Sequence, residues 1–152
     1  MAFTKVFGDN VTGGWVELDP VFITHETDDN LKTAKLLAKN GYQVRLLPIL
    51  NQENRKNPDA LLIKENQFIE FKHNTKPTRS AIENEIRRGK TQANYLLLHI
   101  KSKIARGTFI HEVKYRINLS SNVKMLWVVW KDCLYVFKRK EIFDGTFEKA
   151  IK

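Results

Sequence analysis

The chain has 152 residues, 42% hydrophobic and 28% charged, with 7 Gly and 4 Pro, so it can bury the core of one ordinary domain and is no low-complexity chain. No apolar run approaches the ~18 residues of a membrane span, the N-terminus lacks the apolar stretch of a signal peptide, and one cysteine, Cys133, excludes an internal disulfide. The net charge of +9 lies wholly in the second half: residues 1–76 carry 10 Lys+Arg and 10 Asp+Glu, residues 77–152 carry 16 and 7.

In chain order, Gly14 to Leu18 and Val21 to Thr24 read as short extended pieces broken at Asp19-Pro20. Thr27-Asp28-Asp29 offers an N-cap with acids in the first turn. Leu31, Ala34, Leu37 and Ala38 follow at helical spacing, and Gly41 stops that helix. Tyr42–Ile49 reads as a strand. Asn57-Pro58 signals a turn, Asp59–Ile63 a second strand, Lys64-Glu65-Asn66 a tight turn and Gln67–Lys72 a third strand, the last two pairing as a hairpin. Ser80 and Glu83 form a capping box for a second helix reaching to about Thr91. Tyr95–Ile100 is a fourth strand, Gly107 to Ile117 a further helix of weak period, and Val123–Trp130 with Leu134–Lys138 a closing hairpin turning at Lys131-Asp132. With no linker or repeat, residues 1–152 read as one α/β domain with a mixed sheet. Cys133, in an apolar strand-like run, is expected to be a buried inert thiol.

The stretch with chemistry in it is Pro58-Asp59, ten intervening residues, then Glu70, Phe71 and Lys72. Strand alternation points Glu70 and Lys72 one way, and Ile69 and Phe71 the other, into core. A hairpin across the ten-residue gap returns Glu70 to the side of Asp59. Two carboxylates with a backbone carbonyl make a hard oxygen site suited to Mg²⁺ or Mn²⁺. Lys72 is a compact cation that can orient water and hold a phosphoryl oxygen. That set meets the needs of phosphodiester hydrolysis. The same residues also fit a blander reading, a turn Asp and a solvated cross-strand charge pattern. The basic second half likewise fits either a polyphosphate partner or a solvated surface.

Several flanking residues are further candidates. Glu26, at the start of the first helix, is either a third metal-facing carboxylate or an acid complementing the helix dipole. His25 is a candidate ligand or proton shuttle, whereas His73 alternates away from the metal face. Arg87, Arg88 and Lys90, late in the second helix, would clamp substrate phosphates or serve as ordinary C-terminal cations. Gln92 would hydrogen-bond substrate or water. Trp127, Trp130, Tyr135 and Phe137 offer a stacking surface for bases, but core packing is the expected role.

The chain resembles PD-(D/E)xK nucleases, and among them the C-terminal tRNase domain of contact-dependent growth-inhibition (CdiA-type) toxins. The resemblance runs over residues 15–100. It is carried by His25-Glu26, Asn30, Ala34, Leu37-Ala38, Gly41-Tyr42, Val44, Leu46-Leu47-Pro48, Asn57-Pro58-Asp59-Ala60, Glu70 with Lys72, Ser80, Ile82 and Gln92-Ala93. It implies a restriction-endonuclease-like α/β sandwich with a mixed central sheet and a C-terminal β-hairpin. It implies that Asp59, Glu70 and Glu26 bind metal, that Lys72 is catalytic and that Gln92 faces substrate. It raises Zn²⁺ as the ion, which His25 leaves open, beside the Mg²⁺ or Mn²⁺ that the oxygen-rich ligand set favours. The implied substrate is RNA, tRNA in particular, and the implied second partner is an immunity protein, with no membrane. Action in the cytoplasm after delivery as part of a larger toxin would follow, although related domains also occur fused to phage-type head proteins. The competing readings are a DNA endonuclease of the same superfamily, a non-catalytic basic nucleic-acid-binding domain, and an interaction domain whose basic face docks an acidic protein.

Overall fold

A computed structural model of the protein describes residues 2–23, 25–48 and 56–152, excepting the side chains of Phe22 and His25. These residues form two compact units, Met1–Phe71 and Lys72–Lys152.

In the first unit, β1 (Thr4–Gly8) pairs antiparallel with β2 (Trp15–Leu18). Helix α1 (His25–Lys39) crosses over to β3 (Gln43–Leu46), which lies parallel to β2. β4 (Ala60–Leu62) runs antiparallel to β3, and β5 (Gln67–Asn74) antiparallel to β4. The apolar stripe expected on α1 is its core face: Ala34, Leu37 and Ala38 are fully buried, and the helix packs on β2 and β3. Burying one such Leu contributes about 1.5–3 kcal/mol. The approach is close enough that a Cβ on Gly14 would stand 1.8 Å from Ala38 O, so no larger residue fits there.

Three local expectations shift. α1 begins at His25, so Thr27 lies inside its first turn and does not cap it; Glu26 and Asp28 remain in that turn, where acids favour the helix dipole. Pro20–Phe22 winds into a 3-10 turn in place of an extended piece, because the Asp19 carboxylate accepts from Val21 N at 3.0 Å and Pro20 has no N–H to leave unpaired. β3 is shorter than Tyr42–Ile49, and Ile49 lies outside the described residues.

The second unit holds α2 (Arg79–Gly89), β6 (Tyr95–Ile100), α3 (Arg106–Asn118), β7 (Met125–Trp130), β8 (Cys133–Lys138), α4 (Arg139–Phe143) and α5 (Thr146–Ala150). β6 and β7 are parallel with α3 as their crossover, and β8 closes antiparallel on β7. The β7–β8 turn is Lys131-Asp132, both at positive φ (49° and 64°), the geometry of a two-residue hairpin. The cap of α2 is Thr78, whose Oγ1 accepts from Ala81 N at 3.2 Å; Ser80 lies within the first turn, so the expected Ser80–Glu83 box does not form, and Ala81 at the third position has no side chain to reciprocate. Trp127, Trp130 and Phe137 are 2%, 6% and 3% exposed, which makes them core. Phe109 stacks on Trp130 with ring centres 5.0 Å apart, and Phe147 of α5 meets both Phe109 and Phe137 edge-on. Cys133 is exposed, contrary to expectation: it opens β8 directly after the turn, where the strand presents its outer face. Among the described residues no helix is long and apolar enough to cross a membrane. Strand pairings in both units are mixed, as expected of an α/β fold with a mixed sheet.

Candidate active site

Asp59 stands at the mouth of the β4–β5 hairpin. Ala60 pairs with Ile69, so Asp59 and Glu70 are the next opposed positions on the two chains. The turn closes through Asn66 N donating to Ile63 O at 3.2 Å, with Asn66 at φ 53°, a conformation that Asn adopts more readily than most residues. Asp59 is pinned from three sides. Its carbonyl accepts from Leu47 N at 2.9 Å, its Oδ2 accepts from Phe71 N at 2.8 Å, and its Oδ1 accepts from Asn30 Nδ2 at 3.2 Å. Hydrogen bonds to an ionised group contribute about 1.5–3 kcal/mol each, so the carboxylate is oriented as well as positioned. Glu70 is 5% exposed, with Ile69 and Phe71 buried on either side of it, so the strand is covered on both faces.

Among the described residues no three His, Cys, Asp or Glu side chains lie close enough to share an ion. Glu26 is exposed on the first turn of α1, and the His25 side chain lies outside the description. The donors that remain are two carboxylates, Asp59 and Glu70, whose oxygens are hard. This does not suit a closed tetrahedral zinc centre built on Cys and His. It fits Mg²⁺ or Mn²⁺, since Mg²⁺ keeps several waters and binds through one or two carboxylates plus substrate phosphates. Each carboxylate oxygen has two lone pairs, so a carboxylate can accept a hydrogen bond and still ligate.

In the second unit, Lys72 is half-buried and lines a cleft of 210 Å³ with His73, Lys76, Asn84, Glu85 and Arg88. The Lys72 stem passes close to α2 at Gly89: a Cβ there would stand 3.0 Å from Leu96 Cδ2 and 3.6 Å from Lys72 Cε. Glu85 was not singled out from the sequence. It lies on the stripe of Ile82, Ile86 and Gly89, all buried, so a carboxylate on the apolar face of an amphipathic helix was the available signal. Burial pushes the Glu85 carboxyl above its ordinary 4.5, partly offset by the hydrogen bond from Asn74 and the charge of Lys72. Asn74 Nδ2 donates to Glu85 Oε2 and to Lys76 O, both at 3.0 Å. Lys72, Lys76 and Arg88 give the cleft three cations against one carboxyl, a composition that attracts anions.

Of the residues expected to hold substrate, Arg88 lines this cleft. Arg87 is exposed and donates to Asn84 Oδ1 at 2.6 Å. Lys90 closes α2, its N–H reaching Ile86 O at 3.0 Å while its carbonyl accepts from Asn122 Nδ2 at 2.8 Å. The Gln92 amide points along the chain to Thr91 Oγ1 at 3.5 Å. Neither Lys90 nor Gln92 lines the Lys72 cleft. His73 stacks obliquely on His99, ring centres 5.7 Å apart. In the sequence Asn30 stands out only through the resemblance; in the structure it is the second anchor of Asp59.

No family model and no curated protein matches the sequence. Among solved structures, a chain of the CdiA-CT/CdiI toxin and immunity complex from Burkholderia pseudomallei is similar to this one, with a TM-score of 0.51 and 20% sequence identity over 79% of this chain and 92% of that chain. At that identity the likeness is one of fold.

Proposed function

We propose that this chain is the nuclease module of a CdiA-type toxin, a metal-dependent phosphodiesterase of the PD-(D/E)xK kind acting on RNA, with tRNA its substrate. The observation that carries the reading is the opposed pair Asp59 and Glu70 on the β4–β5 hairpin, with Lys72 two residues further along β5. The structural likeness to a toxin and immunity complex supports the toxin context. It also makes an immunity protein the natural second partner.

Asp59 and Glu70 would hold the ion. A bound divalent cation supplies charge neutralisation on the phosphate and acidifies water. The chain's own residues do the rest. Asn30 and the Phe71 N–H keep the Asp59 carboxylate in one orientation, which lowers the reorganisation needed when charge builds. Lys72 holds a non-bridging phosphoryl oxygen and steers water toward phosphorus, where the new P–O bond forms as the bond to the departing ribose oxygen breaks. Arg88 and Lys76, in the cleft with Lys72, supply positive charge for backbone phosphates.

The test is to incubate total RNA, purified tRNA and plasmid DNA with wild type and Asp59→Ala, with Mg²⁺ present or chelated. Wild type with metal is expected to cut tRNA and leave the plasmid intact. Plasmid cutting under the same conditions would assign the DNA endonuclease. Cleavage that survives both chelation and the substitution would overturn the mechanism, and binding of RNA without cleavage would make the domain a non-catalytic binder.

A further inference from the structure

The parallel strands β6 and β7 end together. His99 pairs with Val129, and one residue on, Ile100 and Trp130 close the two strands at their carboxyl ends. Outside those ends lies a cleft of 640 Å³, within the second unit and separate in its lining from the Lys72 cleft. Carboxyl ends of parallel strands are where α/β folds bind small ligands. The volume falls inside the range of about 300–1,000 Å³ typical of small-molecule sites, large enough for a nucleotide and far larger than a bare ion requires.

The lining has a chemical direction. Lys101, Lys103 and Lys131 stand around it against one carboxylate, Asp132. The loop after β6 is fixed by its backbone: Lys101 N and Ser102 N both donate to Asn74 O, at 2.8 and 3.1 Å. The same loop runs on into α3, a helix of 13 residues. The wall of the cleft includes Trp130, 94% buried, whose Nε1–H finds no acceptor among the described residues. An indole N–H is a donor only, so whatever completes it brings an acceptor. Lys131 Nζ already donates to Lys152 O at 2.9 Å, so the lysines act on the cleft through their charge: three ammonium groups against one carboxylate, with the orphaned indole donor in the wall, favour an oxygen-bearing anion.

From this we infer that the cleft between the ends of β6 and β7 is a nucleotide-phosphate site, taking the phosphate group of a nucleoside phosphate, either free or as one unit of a strand. Lys101 and Lys103 contact the phosphate oxygens, and the apolar side chains Ile100 and Ile104 border the sugar and base. Asp132 disfavours a second closely spaced anionic group, which selects a monophosphate or a backbone phosphate over a triphosphate. The inference concerns binding alone and holds whether or not the chain cuts RNA.

The test follows the three indole N–H signals of the ¹⁵N-labelled full chain by NMR, with a chelator present so that no strand is cut. The Trp130 signal is assigned by its loss in Trp130→Phe, or by elimination from Trp15→Phe and Trp127→Phe should that variant not fold. Inorganic phosphate, AMP and a short single-stranded RNA are the probes. A saturable shift of the Trp130 signal with AMP supports the site for free nucleotides. A shift with RNA and none with AMP supports it for a strand. In either case Lys101→Glu with Lys103→Glu is expected to weaken binding at least tenfold, and Lys124→Glu with Lys140→Glu, exposed and outside the cleft, to leave the response unchanged. A response to inorganic phosphate alone would mark an adventitious ion only and overturn the proposal. No response to any probe, or a response indifferent to the two lysines, would also overturn it.

Discussion

The backbone N–H of Phe71 donates to Asp59 Oδ2 at 2.8 Å, so the residue between Glu70 and Lys72 is the one that fixes the orientation of the opposing carboxylate. One hydrogen bond thereby joins the geometry of the hairpin to the geometry of the candidate ligands. Asp59→Ala would leave that N–H without its acceptor, at a cost of about 1–3 kcal/mol. Asp59→Asn keeps an acceptor oxygen and should lose less stability by urea unfolding, while cleavage falls on the order of 100-fold or more in both. Equal activity of Asp59→Asn and wild type would confine Asp59 to a structural role.

Glu85 gives a pH dependence of defined sign. Burial raises its carboxyl above 4.5, so folding favours the protonated form. Stability from this group is fully present below the ordinary value and is lost as pH rises through the raised one. Glu85→Gln retains an acceptor for Asn74 and carries no charge. It should therefore melt higher than wild type near neutral pH, with the gap closing at pH values below the ordinary 4.5. A gap of the same size at acid and neutral pH would contradict this account of Glu85.

Arg87 and Arg88 are exposed at the end of α2, with Arg88 in the Lys72 cleft. Reversing both to Glu should weaken RNA binding and reduce the slope of log affinity against log salt by about 1 to 2, the effect of losing two phosphate contacts on a single strand. The slope is measured by fluorescence anisotropy across a salt series. An unchanged slope would take both residues off the binding face.

Arg139 shows that the basic excess is not all for ligands. Its Nη1 donates to Ser120 O and Val123 O at 2.7 and 2.9 Å, and its Nη2 to Ile117 O at 2.9 Å, collecting carbonyls at the end of α3. Arg139→Ala should cost about 3 kcal/mol of stability. The salt slope for RNA should stay as in wild type. Loss of RNA binding in a variant of undiminished stability would reverse that assignment.

Much of this was legible in the sequence because it is local. The α1 stripe, the polar turn at Lys64 to Asn66 and the Lys131-Asp132 hairpin are written in short-range periodicity and turn chemistry, and each forms at or within a residue or two of its expected place. The opposition of Asp59 and Glu70 follows from the same hairpin arithmetic. What escaped depends on distant partners. α4 and α5 are five residues each, too short to show a period, and α5 is held by Phe147 against Phe109 and Phe137. β1, mostly exposed, offers no buried alternation to read. Glu85 and Asn74 come together from a helix and a strand 11 residues apart, and Cys133 is exposed because of where its strand begins, which composition does not encode.

The claim on which the rest depends is that Asp59 and Glu70 share a divalent cation. Calorimetric titration of Mn²⁺ into wild type, Asp59→Asn and Glu70→Gln tests it directly. We expect one saturable site in the wild type, weakened at least tenfold in each variant while both remain folded. Unchanged affinity in both variants, or no binding by folded wild type, would contradict it.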